Sequence, residues 1–417
     1  MRKIFYLIIL GIFPLFCFAE QYSMEKLINI GLESSYDIKQ ETVNEKNSTS
    51  LFRSSLYGIL PTVTAGVNRN KFYDSILEPN ETDWSNSGYL TISKSFFLNE
   101  PSYYNIQTSI YGMKNAKKSF DETRKQTAYF IFSSYLSVLE LQETLEIQQK
   151  NLELQNKIQQ QIQVQFDTGN KSLLELKQSE VSLIDYEIAV NEASNSLAKT
   201  RNELFSYLNI EDECFEFVEP EFNIDLVRSE FHSNNILEQK LNTLKINKLL
   251  HLQSTMNLLP VISIGYNVNH SDNNNINTFS DYTRDSQTLS ISASWNIFGL
   301  LENFEETIRS KRNLEIQKLD YDVSINNYNI QLTNLHNDLE TLKRSFDLYD
   351  EKLKLAEENL SMAQEHFRLG MISLLDLDRS KIDFQNTQLA RIQKHYQLMK
   401  KQEEINLLLS DNILGRW

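Results

Sequence analysis

The chain is written twice. Leu60-Pro61 recurs as Leu259-Pro260, an offset of 199 residues. Phe166-Asp167-Thr168-Gly169 recurs as Phe367-Arg368-Leu369-Gly370, and Ser172-Leu173-Leu174-Glu175-Leu176 as Ser373-Leu374-Leu375-Asp376-Leu377, both at an offset of 201. Two copies of one supersecondary unit are the simplest source of such self-similarity. The copies occupy residues 20–215 and 225–417, with a linker at 216–224. The two-residue drift falls between the Leu-Pro pairs and the Phe-x-x-Gly motifs, and polar loops after the Leu-Pro pairs are its natural place.

Breakers are scarce. The chain has 11 glycines and 6 prolines in 417 residues, which favours long helices. Pro61, Pro79, Pro101, Pro220 and Pro260 all fall between periodic segments, where a missing N–H costs nothing. Each copy reads helix, strand, loop, strand, very long helix, tight turn, helix. In the second copy Leu332, Leu335, Leu339, Leu342, Phe346, Tyr349, Leu353, Ala356, Leu360, Ala363 and Phe367 step by three and four, the pattern of coiled-coil packing. The first copy's seam includes Ile131, Val138, Leu141, Leu145, Leu152, Ile162 and Phe166, interrupted by Ser134, Gln148, Gln155 and Gln159. A helix from Pro101 to Gln165 would span about 100 Å. Gly169 and Gly370 suit the left-handed turn that closes each helix. Ser172 and Ser373 then stand where an N-cap belongs, with Glu175 and Asp376 three residues on.

Four segments alternate with period two, in β-hairpins at about 60–99 and 259–300. In Thr62–Asn68, Val63, Ala65 and Val67 oppose Thr62, Thr64, Gly66 and Asn68. Leu259–Asn269 and Thr288–Ile297 alternate likewise, and Tyr89–Phe96 does so more weakly because Lys94 shares the face of Leu90, Ile92 and Phe96. Trp84, Tyr89, Phe96, Phe97, Trp295 and Phe298 gather near the ends, as aromatics do at membrane interfaces. An apolar face opposite a small polar one is what a membrane barrel around water requires, although a half-buried soluble sheet shows the same alternation. Four strands cannot close around a channel, since the smallest membrane barrels have about eight. If these strands span a membrane, several chains share one barrel.

The first residues read as an export signal: Arg2 and Lys3, an apolar run over residues 4–18, and cleavage after Ala19. A retained anchor or lipidation of Cys17 are the alternatives. The formal charge is −15 and becomes more acidic once Arg2 and Lys3 are lost, which argues against nucleic acid as a partner. Only Cys214 would remain, so no internal disulfide framework is expected. The six histidines form no H-E-x-x-H spacing, C-x-x-C and G-x-S-x-G are absent, and no phosphate-binding glycine loop is present. No enzymatic chemistry and no cofactor are expected.

The paired repeats, the Leu-Pro at each helix-to-strand junction (Pro61, Pro260) and the doubled hairpin motif resemble the TolC-like outer-membrane efflux protein family, over essentially the whole mature chain. The resemblance implies a mainly α fold with membrane β: a long α-helical coiled-coil barrel in the periplasm, and four strands per chain in a 12-stranded barrel built by a homotrimer in outer-membrane lipid. It implies a passive duct of a tripartite efflux or type I secretion system, fed by a periplasmic adaptor (membrane fusion) protein and an inner-membrane transporter. The hairpin tips (Gly169, Asn170, Ser172, Glu175, Gly370, Met371, Ser373) would then be the adaptor-contact region and the periplasmic entrance. Relatives narrow that entrance with acidic residues after the second turn, for which Asp376 and Asp378 are the candidates. The pattern departs from relatives with aspartates three apart: position 379 is Arg. A periplasmic or secreted coiled-coil protein without a barrel of its own is the competing reading.

Overall fold

The computed structural model describes residues 23–71, 84–97, 100–212, 217–220, 234–272 and 283–416. The signal segment, Cys214, most of the inter-repeat linker and the hairpin loops lie outside the described residues. In chain order the elements are α1 (Met24–Ser34), α2 (Tyr36–Tyr57), β1 (Thr62–Lys71), β2 (Trp84–Phe97), α3 (Pro101–Asp167), α4 (Leu173–Leu208), α5 (Asn235–Met256), β3 (Val261–Asp272), β4 (Thr283–Ser294), α6 (Gly299–Arg368) and α7 (Leu374–Leu408), followed by a short 3₁₀ turn. The helix, strand, strand, long helix, helix order occurs twice. In the first copy the leading helix is split, because Ser35 ends α1 and its hydroxyl accepts from Ile38 N at the start of α2.

The chain divides into two compact units, with α2, α3 and α6 contributing to both. One comprises residues 1–38, 124–230 and 333–417. Its apolar core joins Leu27 and Ile28 of α1, Ile131, Phe132, Tyr135 and Leu136 of α3, Leu204 and Leu208 of α4, and Ile392, Tyr396 and Met399 of α7. Gly31 permits the close approach of α1: a Cβ there would stand 2.1 Å from Ile131 Cδ1. Ser34 Oγ, also on α1, donates to Leu208 O at 2.6 Å. Every expected seam position of α6 from Leu332 to Phe367 is buried or half-buried. On α3 the seam shifts: its buried line runs Ile147, Asn151, Gln155, Ile158, Ile162, so Gln155 lies in the core while Leu145 and Leu152 are only half-buried. A basic partner for that glutamine on α7 explains the shift and is described below.

The other unit comprises residues 39–123 and 231–332 and carries the sheet. The strands lie in the order β1-β2-β3-β4, all antiparallel. Register places like with like across the sheet. Val63 pairs with Ile92, Ile92 with Val268, Tyr266 with Leu289 and Ile264 with Ile291, all on one face. Thr62 pairs with Ser93, Thr64 with Thr91, Gly265 with Ser290 and Ser263 with Ser292 on the other. Strand β4 begins five residues before the expected segment and stops at Ser294, so Trp295 and Ile297 belong to the turn into α6, where Asn296 Oδ1 accepts from Gly299 N.

The repeat extends into the packing beneath the sheet. Ser55 of α2 and Ser109 of α3 share a hydroxyl contact of 2.9 Å, and their equivalents Ser254 of α5 and Ser310 of α6 share one of 2.6 Å. Much of the rest is polar. Lys118–Glu238 and Lys240–Asp320 pair at 2.7 Å, and Asn242 Nδ2 donates to Asn115 Oδ1 at 3.0 Å. Among the described residues, the buried apolar side chains of this unit are Tyr104, Leu237 and Tyr328, while Leu51, Leu250, Leu252, Leu301, Phe304, Ile316, Leu319, Val323 and Ile330 are exposed. A unit of this length that folded alone would bury far more apolar surface.

Candidate functional site

Two regions collect the residues singled out in the sequence: the helical tips and the sheet. At each tip the backbone turns through a glycine in the left-handed region, with φ of +78° at Gly169 and +71° at Gly370. The carbonyls of the ending helices are closed in the same way twice. Asn170 N donates to Gln165 O and Met371 N to His366 O, both at 2.8 Å, while Gly169 N and Gly370 N reach Phe166 O and Phe367 O. This six-to-one plus tighter inner pattern is the Schellman closure.

The next helix is capped reciprocally in both copies. Ser172 Oγ accepts from Glu175 N at 3.2 Å and Glu175 Oε2 accepts from Ser172 N at 2.9 Å. Ser373 Oγ and Asp376 Oδ2 repeat the exchange at 3.2 and 3.3 Å. Lys171 adds an ion pair to Glu175 at 2.7 Å and lies over the Phe367 ring, tying the two tips together. The Lys171 bond, with the Ser172 amide next, pulls the Glu175 carboxyl down to about 2. The Ser373 hydroxyl and amide lower Asp376 in the same way. Both groups are therefore anionic at every physiological pH. Around them Leu173, Leu174, Leu369, Met371 and Leu375 are exposed.

Because the Glu175 pKa is lower folded than its ordinary 4.5, its capping contribution is whole above that value and is lost as pH falls through about 2. Protection of the first α4 amides, taken relative to their intrinsic exchange, should fall across this window, and Glu175→Gln should flatten the dependence. Ser172→Ala should destabilise the α4 start by about 1 kcal/mol at neutral pH, read as faster exchange at the same amides.

Asp378 does not stand beside Asp376. It is turned toward the bundle, where it pairs at 2.8 Å with Lys381, which is only 2 % exposed. Asp378, an entrance candidate by sequence, thus has a buried basic partner in Lys381. Its signal was spacing: Leu374, Leu377 and Lys381 continue the apolar stripe of α7 by three and four.

At the sheet, Pro61 and Pro260 each immediately precede a strand and follow matching turns, Leu60 N to Tyr57 O and Leu259 N to Met256 O. The apolar face is uncovered among the described residues: Leu289 is 70 % exposed and Ile291 74 %. Lys94, a charged residue on that face, reaches back to the Gly58 carbonyl at the end of α2. Tyr89 was grouped with the interfacial aromatics, but strand parity puts it on the hydroxyl face, against Gly66, where a Cβ would sit 2.4 Å from the ring. Trp295 and Phe298 are exposed just past β4. Trp84, Phe96 and Phe97 belong to β2, with their side chains outside the described ones. Among the described residues no helix is long and apolar enough to cross a membrane.

Comparison with known proteins gives one consistent pattern. The family profile described as outer membrane efflux protein matches residues 27–209 and 253–410, which takes in both copies. Among solved structures, the CmeC outer membrane channel of Campylobacter jejuni superposes with a TM-score of 0.82 at 14% identity, covering 94% of this chain and 87% of that one. The outer membrane protein VceC of Vibrio cholerae gives 0.82 at 14%, covering 94% and 96%. A membrane protein from Pseudomonas aeruginosa gives 0.85 at 12%, covering 94% and 91%. No curated protein matches by sequence.

Proposed function

Since this chain belongs to the outer membrane efflux protein family, we propose that three copies form an outer-membrane duct, conducting cargo passively from a periplasmic adaptor and an inner-membrane transporter to the cell exterior. The observation that carries this reading is the state of the sheet-bearing unit. It presents an apolar sheet face with no cover among the described residues, its outer strands β1 and β4 each have one neighbour, and it buries few apolar side chains. An uncapped sheet edge is a liability that closure into a barrel removes. Lipid would cover the apolar face, neighbouring copies would pair β1 with β4, and the 12 strands would close around the hydroxyl face.

The helices support the same assembly. Leu348, Leu355, Met362 and Leu369 form a strict heptad stripe on and just past α6, and Leu174, Val181 and Ile188 another on α4; all are exposed. Within one chain α3 packs on α7, as in Tyr396–Glu143 and Lys400–Glu140, which leaves α4 and α6 to meet neighbouring copies. Joining two different surfaces in this way makes a closed ring when the rotation allows it.

In this duct the hairpin tips are the periplasmic entrance and the adaptor-contact surface, with their exposed leucines and Met371 as the apolar contacts. Asp376, exposed and ionised, is the gate carboxylate. Asp378 is engaged by Lys381 and contributes less charge to the pore. By register the barrel lining is mostly Thr, Ser and Asn and carries no acidic residue among the described strands, so cation preference arises in the helical part. Purified protein added to a planar bilayer should give discrete conductance steps with cation preference, and Asp376→Asn should lower that preference. Absence of steps would contradict the duct, and anion preference in the wild type would contradict an acidic pore.

A further inference from the structure

The core of the helical unit changes character partway along. Nearest the tips it is apolar: Ile158, Ile162, Leu176 and Leu374 in one cluster, Leu360, Ala363 and Leu377 in another. Farther along it is apolar again from Ile147 and Ile392 onward. Between them lies a polar layer. Lys381 Nζ donates to Gln155 Oε1 at 2.6 Å and to Asp378 at 2.8 Å, and it stands 6.0 Å from the Tyr186 ring centroid. Gln155, itself 1 % exposed, donates to Ser179 O at 3.5 Å, and Tyr186 OH donates to Gln385 at 3.0 Å. The layer joins the first hairpin (α3, α4) to the second (α6, α7).

A fully buried ammonium is a poor way to stabilise a bundle. An apolar layer of the same volume is generally as good or better, whereas a buried charge stripped of its partner is strongly destabilising. Such groups are best attested as devices that fix which helices pair. This chain has a particular need of one. Its two hairpins are copies with the same glycine turn and the same capping box, and three chains bring six of them together in the proposed duct. The polar layer is where the copies differ. At the 201-residue offset Gln155 corresponds to Ala356, Lys177 to Asp378 and Glu180 to Lys381. Lys177 and Glu180 form the same i,i+3 ion pair with the charges exchanged, but on the surface of α4.

We infer that Lys381 and Gln155 are the specificity pair that makes each second hairpin pack on a first hairpin rather than on another copy of itself. Two second hairpins face to face would set Lys381 against Ala356, leaving the ammonium buried with no amide oxygen to receive it. Two first hairpins would set Gln155 opposite a position with no ammonium. Lys381 keeps Asp378 of its own helix in every pairing, but only the mixed one gives it an amide oxygen across the interface, as in this structure.

The inference uses the oligomeric duct for its readout, and the test separates the two. Full-length mature protein would be refolded into detergent and its stoichiometry read by native mass spectrometry, alongside its thermal midpoint. The wild type is expected at one stoichiometry. Lys381→Met should keep or raise the midpoint yet populate additional stoichiometries, the off-number fraction rising roughly tenfold or more as the penalty on mispairing is removed. Lys381→Met with Gln155→Met, an all-apolar layer, should be stable but dispersed. If Lys381→Met and the double methionine variant stay at a single stoichiometry, the pair serves the fold alone and the inference is overturned. A wild type homogeneous at a number other than three would count against the trimeric duct while leaving this comparison intact.

Discussion

Arginine in place of Ile291 should stop the protein from assembling in a membrane, whereas arginine one residue on, in place of Ser292, should be tolerated. Both lie on β4 and both have partners on β3, Ile264 and Ser263 respectively. Ile291 is among the most exposed apolar residues of the sheet. Ser292 shares a hydroxyl contact of 2.6 Å with Ser263 on the opposite face. A charge on the lipid face costs up to about 2–4 kcal/mol per site, less toward the interfaces, and a threefold assembly would carry it three times. On the water-filled face the same charge changes only the lining. The measurement is the yield of membrane-integrated oligomer from each variant. Equal tolerance of both arginines would mean that the apolar face does not meet lipid.

The second large effect belongs to Tyr135. Its ring is fully buried among α3, α4 and the linker residue Phe217, with ring centroids 4.9 Å apart. Its hydroxyl donates to Val218 O at 2.7 Å and accepts from Val218 N at 2.9 Å. One side chain thus satisfies both backbone groups of a linker residue and plugs the core beneath it. Tyr135→Ala should cost about 3–5 kcal/mol, as large aromatic deletions in cores do, and should release residues 217–219 to rapid amide exchange. Tyr135→Phe keeps the ring and should cost only about 1–3 kcal/mol, the desolvation of two orphaned backbone groups. The two variants therefore separate packing from anchoring. Thermal unfolding in detergent gives the first effect and exchange at Val218 the second; equal losses in both variants would contradict this division.

Much of the architecture was legible because the sequence states it twice. The glycine turns, the two capping boxes and the Leu-Pro junctions are local chemistry, decided within five or six residues, and they appear in the structure where the motifs lie. The α6 seam was equally readable, since an unbroken apolar stripe leaves one buried face. The α3 seam was not. Gln155 reads as an interruption until Lys381, far away in sequence, supplies its partner, and no pattern within α3 carries that information. Tyr89 shows what register adds: aromatic clustering groups it with the strand-end aromatics, and the period-two rule puts it on the face of Thr91. The end of β4 was blurred because Trp295 and Ile297 continue the alternation after the backbone has turned toward α6. The candidate entrance was legible in part. Asp376 is exposed at a tip, but the fate of Asp378 depended on a lysine three residues away that looks like surface in any single helix.

Electron microscopy of the full protein extracted in detergent measures most directly how copies of the chain assemble. The expected image is a threefold tube, with a detergent-coated barrel of twelve strands continuing into helices about 100 Å long. A water-soluble particle of coiled helices with no detergent-coated end would contradict it and leave a coiled-coil protein without a membrane barrel in its place.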